Sequence, residues 1–334
     1  MMSKEQSTAM KGVAILMMLF YHLFNRAEIN DLCTPTVMIG DVPLVVYLSR
    51  ACYPVTFFLI LSGYGFTFLY RQHRLSVKGQ IKRLSNIYIH YWAVLFIFVT
   101  LAWRVKPGLY DYDIPHIIGN MTALRCNYNG ETWFLFPYAM ISLSSCWIIR
   151  WICLLRKRKH FAMAAAAYAA AFLLAKWMEN NLSDRLFLNI LQLQTIYFII
   201  LSFYFSLGVV LYIVTEKGMP LSGRHPLFYA AVITALLIVK CFFKITILDS
   251  LYAFLFILFF IQLKLPRWVN GALQQLGKHS MLMWMTHTFY CYYLFEDFIY
   301  GFKYPLMIFA VLVVISYLTS VIIGQALARM RAYI

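Results

Sequence analysis

Apolar runs long enough to cross a bilayer recur along the whole chain, and that recurrence leaves few folds open. A bilayer core of about 30 Å needs roughly 20 consecutive apolar residues in a helix, and residues 304–325 supply such a run without one charged side chain. At that depth no water is present to pair with backbone amides, so each run is expected to satisfy its own as a helix. Composition agrees. The chain is 62% hydrophobic and only 13% charged, against roughly 25% charged in soluble domains.

The expected fold class is therefore all-α, a polytopic membrane protein with about ten transmembrane helices. The spans fall near 10–24, 44–70, 86–103, 133–154, 161–177, 187–214, 227–242, 245–263, 281–298 and 304–325. Flanking charge sets the orientation, because cytoplasmic loops hold the excess of Lys and Arg. With both termini inside, and residues near span ends counted with the adjoining loop, inner segments hold 19 of the 29 basic residues and outer segments nine, leaving only Arg50. Of the 13 acidic residues, 11 fall outside. Both termini are expected to be cytoplasmic. The net charge of +16 then reports topology and contact with anionic lipid rather than nucleic-acid binding.

No small-residue cleavage site follows the first apolar run, which continues into Asn25, Arg26 and Glu28; it reads as a retained span and not a signal peptide. Residues 1–334 carry no linker, low-complexity tract or long repeat, so a single integral-membrane domain is expected. The seven cysteines show no CxxC motif, and most sit in spans, where Cys packs as a small apolar side chain. Cys33 and Cys126 fall in outer loops, where a disulfide between them is compatible with an oxidising compartment. The histidines are scattered and form neither HxxxH nor HExxH, so no metal site is expected.

The longest connection, about 104–132, contains Tyr110, Asp111, Tyr112, Asp113, His116, Arg125 and Asn127. Long connections in compact proteins are often binding surfaces, and aromatic, acidic and amide side chains suit a sugar. Interfacial anchoring by tyrosine explains the same composition.

Two ionisable residues stand out in the first span. Ionisable groups at membrane depth are costly and mark function by default. Lys11 and His22 lie eleven residues apart, almost three helical turns, so they share one stripe of the helix at roughly 16 Å along its axis. A cation near the inner surface thus sits below a titratable group.

Longer motifs narrow the reading. Met10-Lys11-Gly12-Val13-Ala14-Ile15-Leu16, running to Tyr21-His22, places ten residues between a cation and a His. Ser49-Arg50-Ala51-Cys52-Tyr53-Pro54-Val55-Thr56-Phe57-Phe58-Leu59-Ile60-Leu61-Ser62-Gly63-Tyr64 carries an aromatic pair followed by Ser-Gly-aromatic. Lys82-Arg83-Leu84, Trp133-Phe134-Leu135, Leu276-Gly277-Lys278-His279-Ser280 and Trp284-Met285-Thr286-His287 follow in order. Together these motifs resemble the membrane acyltransferase 3 family over nearly the whole chain, including its ten-helix count. Two departures are visible: Lys11 stands where the family more often has Arg, losing the bidentate fork for phosphate, and Ser85-Asn86-Ile87 replaces the usual Pro after the third-helix patch.

The resemblance implies transfer of an acyl group, usually acetyl, from acyl-CoA to a hydroxyl of a bacterial cell-envelope glycan or its lipid-linked precursor, at the inner membrane. Acyl-CoA enters as a co-substrate and no tightly bound cofactor is implied. Such chemistry needs a base for the hydroxyl proton and cations for the donor phosphates. His22 is the implied base, a neutral imidazole being suited to proton transfer near neutral pH; packing between helices is the alternative. Lys11, Lys82 and Arg83 sit at inner ends as candidate phosphate ligands, although snorkelling explains basic residues there too. Arg50 is a candidate for stabilising the oxyanion or holding an anionic acceptor, although outward snorkelling explains it as well. Glu131 is a candidate for orienting His22, or caps a helix. Trp133 is a candidate for stacking on a sugar, or belongs to an interfacial aromatic belt, and His287 is a candidate to support the substrate site or bond between helices. Gly63 and Gly65 mark close helix contact or room for a ligand.

Two other classes fit the apolar pattern: a glycolipid transporter or flippase, and a non-enzymatic membrane component of polysaccharide assembly. Inverted repeats with broken helices, the usual sign of a transporter, are not evident. The partners expected are the bilayer, acyl-CoA and a glycan or glycolipid. Nucleic acid is not among them.

Overall fold

A computed structural model describes residues 1–154, 186–243 and 249–332, together with 162, 166, 169, 170, 172–174, 176–178, 180 and 181. The described residues are overwhelmingly helical, and the one sheet among them is a two-stranded hairpin, β1 (Met38–Ile39) with β2 (Val42–Pro43). The helices are α1 (Lys4–Phe24), α2 (Ile29–Leu32), α3 (Leu44–Ser49), α4 (Pro54–Arg71), α5 (Val77–Val105), α6 (Ile114–Met121), α7 (Leu135–Leu154), α8 (Leu186–Glu216), α9 (Pro226–Phe242), α10 (Asp249–Phe260), α11 (Arg267–Thr288), α12 (Glu296–Tyr300) and α13 (Pro305–Ala332). A 3-10 turn at Gly130–Thr132 precedes α7, and a π-helical turn at Phe289–Tyr293 follows α11.

Among the described residues, six helical stretches are long and apolar enough to cross a membrane: Lys4–Phe24, Leu44–Arg71, Val77–Val105, Gly130–Leu154, Leu188–Glu216 and Pro305–Met330. Pro226–Phe242 and Asp249–Phe260 are apolar but shorter. The run expected at 161–177 lies partly outside the described residues, which include only 162, 166, 169, 170, 172–174, 176 and 177 of it. The run expected at 281–298 is not one helix, since it ends α11 at Thr288, enters the π turn and restarts as α12. The second run, 44–70, is interrupted between Ser49 and Pro54, because a residue before proline is driven out of the helical region. The connection 104–132 is partly ordered by α6, whose first turn has Asp113 as N-cap and a proline near its start.

The chain groups into two compact units. The first comprises residues 1–58, 89–110 and 218–334. Its centre is α1 packed along α11, with α13 against both and α9 packed on α10. Ser3 and Gln6 start α1 with a reciprocal capping box, which satisfies two amide donors that a helix start otherwise leaves open. Met10, Ala14, Ile15, Met18, Leu19 and Phe24 carry its buried face. Phe98 stacks on Phe289, ring centroids 4.5 Å apart at 12°.

The second unit comprises residues 59–88 and 111–217. There α7 packs on α8, and α4 meets α8 at two glycines: a Cβ on Gly63 or on Gly208 would collide with the facing backbone. Gly63 is thus the close contact that sequence reading allowed, whereas a Cβ at Gly65 would meet nothing within 4 Å.

Candidate active site

His22 lies in the last turn of α1, 7% exposed. A helix leaves its final carbonyls without intrahelical donors, and three groups answer them here. The Asn25 amide donates to the Tyr21 carbonyl. Tyr292 donates to the His22 carbonyl at 2.6 Å and Tyr300 to the Leu23 carbonyl at 2.8 Å. The Tyr292 oxygen is also 3.3 Å from His22 Nδ1, and its ring stands edge-on to the imidazole.

Arg26, just beyond the helix, ties this end together. Its guanidinium pairs with Glu28 and Glu296, each at 2.7 Å, donates to the Cys291 carbonyl and lies 4.8 Å from the centroid of the Tyr292 ring. Hydrogen bonds from the Glu28 amide and from Arg26 hold the Glu28 carboxyl below its ordinary value of 4.5.

From α11, His287 comes against His22, with ring centroids 5.1 Å apart at 50°. His287 is fully buried. Its Nδ1 is 2.8 Å from the Trp284 carbonyl oxygen; a carbonyl only accepts, so Nδ1 carries the hydrogen and Nε2 keeps a lone pair. That Nε2 is buried without a hydrogen-bond partner. Burying an acceptor unpaired costs about 1–3 kcal/mol, a cost removed by any ligand that brings a donor.

Of the other candidates in this unit, Lys11 is half-buried on α1. Arg50 closes α3, with its guanidinium 4.3 Å from the Tyr47 ring centroid and its buried Nε unpartnered. Lys240, in the last turn of α9, is buried and pairs with Asp249 at 2.6 Å. Cys33 and Cys126 are both free thiols, and burial pushes the Cys33 thiol up and the Cys126 thiol up to about 11.

The second unit gathers two of the sequence motifs on one phenol. Arg83 Nη2 donates to the Tyr138 hydroxyl, and Ser62 of the Ser-Gly-aromatic motif is 3.4 Å from the same oxygen. The guanidinium also lies 4.6 Å from the Phe66 ring centroid, while its Nη1 is buried and unpartnered. Lys82 beside it is exposed. Glu131 is half-buried in the 3-10 turn, and Trp133 is half-buried with its ring 4.7 Å from that of Tyr197.

Sequence reading missed Tyr292, Tyr138 and the Lys240–Asp249 pair. Among the described residues no three His, Cys, Asp or Glu side chains gather as a metal site.

The acyltransferase 3 model, described as an acyltransferase domain, matches residues 6–325. The apolar helices and this match define a multi-pass membrane acyltransferase, a transferase of groups other than amino-acyl groups. The chain belongs to the acyltransferase 3 family. No curated protein and no solved structure matches it.

Proposed function

We propose that the protein moves an acyl group, acetyl first among them, from acyl-CoA to a hydroxyl of a cell-envelope polysaccharide or its lipid-linked precursor, in a bacterial inner membrane crossed ten times with both termini cytoplasmic. The observation that carries this reading is the pairing of His22 with His287, within a chain whose family is that of acyltransferases.

His22 is the general base. It takes the proton of the acceptor hydroxyl as the oxygen attacks the thioester carbonyl carbon. The tetrahedral oxyanion then collapses, the carbon–sulfur bond breaks, and the proton passes from His22 to the departing thiolate. The lone pair of His287 Nε2 receives a second hydroxyl of the acceptor. Two imidazoles side by side suit the vicinal hydroxyls of a sugar.

Arg83 and Lys82, in the second unit, hold donor phosphate; Lys11, in the first, is proposed on its own as a phosphate ligand. The fixed fork of donors on Arg83 suits phosphate oxygens, and its open Nη1 supports that role. Arg50 with its open Nε stabilises the oxyanion, and in the second unit Trp133 is proposed as a sugar-stacking residue. The test compares ester-linked acyl groups on surface glycans from cells with the gene intact, deleted, or encoding His22→Ala. Deletion and His22→Ala are expected to remove the same ester, and a deletion that removes none from any glycan fraction refutes the assignment.

A further inference from the structure

We infer that Tyr292 is a positioning residue that fixes the tautomer of His22, so that Nε2 is the nitrogen presented as base. The inference rests on the reading of His22 as that base. A phenol has one hydrogen to give, and Tyr292 commits it to the His22 carbonyl at 2.6 Å. Toward Nδ1, 3.3 Å away, the same oxygen has only lone pairs left, so Nδ1 must carry the hydrogen. The Nε2 lone pair is then the one that receives a proton, the same division that the Trp284 carbonyl imposes on His287.

Three further features hold the phenol in place. Its carbonyl acceptor is one of the helix-end groups that α1 cannot satisfy internally. The Arg26 guanidinium lies over its ring, anchored by Glu28 and Glu296. Tyr292 also sits in the π-helical turn, a local widening that is frequent at functional sites and that follows directly on the helix carrying His287.

The experiment uses the full chain in lipid nanodiscs, labelled with ¹⁵N-histidine, with acetyl-CoA as donor and the envelope glycan fraction as acceptor. The His22 imidazole is identified by the resonances lost in His22→Ala. Wild type should show the Nδ1–H tautomer. In Tyr292→Phe, which keeps the ring under Arg26, that signature should give way to the other tautomer, with kcat lower by at least about tenfold, as a wrongly protonated base predicts, and the KM for acetyl-CoA within about twofold. Tyr300→Phe removes the neighbouring bond to the Leu23 carbonyl and serves as control for simple loosening of the helix end. It should alter neither the tautomer nor kcat.

An Nε2–H tautomer in wild type, an unchanged tautomer in Tyr292→Phe, or the same change in Tyr300→Phe overturns the role of Tyr292 while leaving His22 as base. Transfer that survives in His22→Ala overturns the base assignment itself, and the role of Tyr292 with it.

Discussion

Gly12 of α1 faces the carbonyl of Leu273 in α11 so closely that a Cβ would run into that oxygen. One turn on, the relationship is reversed, with Gly277 of α11 against the Thr8 carbonyl of α1. Small residues on both helices thus allow the crossing to close to backbone contact, as they do in membrane helix pairs generally. Because α1 carries His22 and α11 carries His287, this crossing also sets the spacing of the two imidazoles.

Gly12→Ala and Gly277→Ala should each destabilise the first unit. Overpacking a tight contact costs about 1–3 kcal/mol, and here the obstacle is backbone that no rotamer change can move. Gly271 in the same α11 helix provides the control, since a Cβ there meets nothing within 4 Å; removing a helical glycine without a clash stabilises by about 0.4–1 kcal/mol. Thermal unfolding in detergent should show a fall in midpoint for the first two variants and none for Gly271→Ala.

The Lys240–Asp249 pair has side-chain exposures of 10% and 3%. Removing one partner of a buried pair strands the other charge, at a cost of about 3–5 kcal/mol, whereas replacing both by apolar groups is often neutral. Lys240→Met alone and Asp249→Leu alone should therefore unfold at clearly lower temperature than wild type, and the double variant should recover most of the loss. Equal damage in all three would show that the charges matter for something other than each other.

How much of this was legible in sequence depends on whether the signal was local. The helical class follows from run length alone, and the motifs around His22, Ser62, Arg83 and His287 were visible at fixed spacings. The break before Pro54 and the cap at Asp113 also had local signatures, a proline and an acidic residue just ahead of a proline-bearing turn. Tyr292 had none, because in the aromatic run Phe289–Tyr293 nothing marks one ring as the partner of a residue 270 positions earlier. Tyr138 is hidden in the same way. A charge count sees Lys240 as one cation near a helix end, and only packing reveals that Asp249 neutralises it.

The cap of α6 should titrate. Asp113 accepts from the His116 amide at 2.8 Å, and this bond, followed by the His116 side chain, holds its carboxyl below the ordinary 3.8. A carboxyl depressed in the folded state contributes its stabilisation fully above the unfolded value and loses it as pH falls through the folded one. Amide exchange at His116 should therefore remain protected down to pH 3.8 and accelerate below it, beyond the intrinsic pH trend. In Asp113→Asn, whose cap does not ionise, that extra step should vanish, whereas Asp113→Ala should leave the amide poorly protected throughout. An unchanged step in the Asn variant would assign the titration elsewhere.

Arg83 and Tyr138 separate charge from geometry at the proposed phosphate contact. Arg83→Lys keeps the cation but gives up the planar fork that addresses phosphate through two parallel bonds, so KM for acetyl-CoA should rise by about tenfold, the loss of one charge-assisted hydrogen bond at roughly 1.5 kcal/mol. Arg83→Ala removes the charge as well and should raise it further. In Tyr138→Phe the guanidinium keeps its place over Phe66 and only the hydroxyl that receives Nη2 and neighbours Ser62 is lost, so a smaller rise than in Arg83→Lys is expected. Initial rates across a range of acetyl-CoA concentrations, with kcat and KM resolved separately, decide the matter. A fall in kcat alone, at constant KM, would remove Arg83 from donor binding and place it with the residues that act on the transition state.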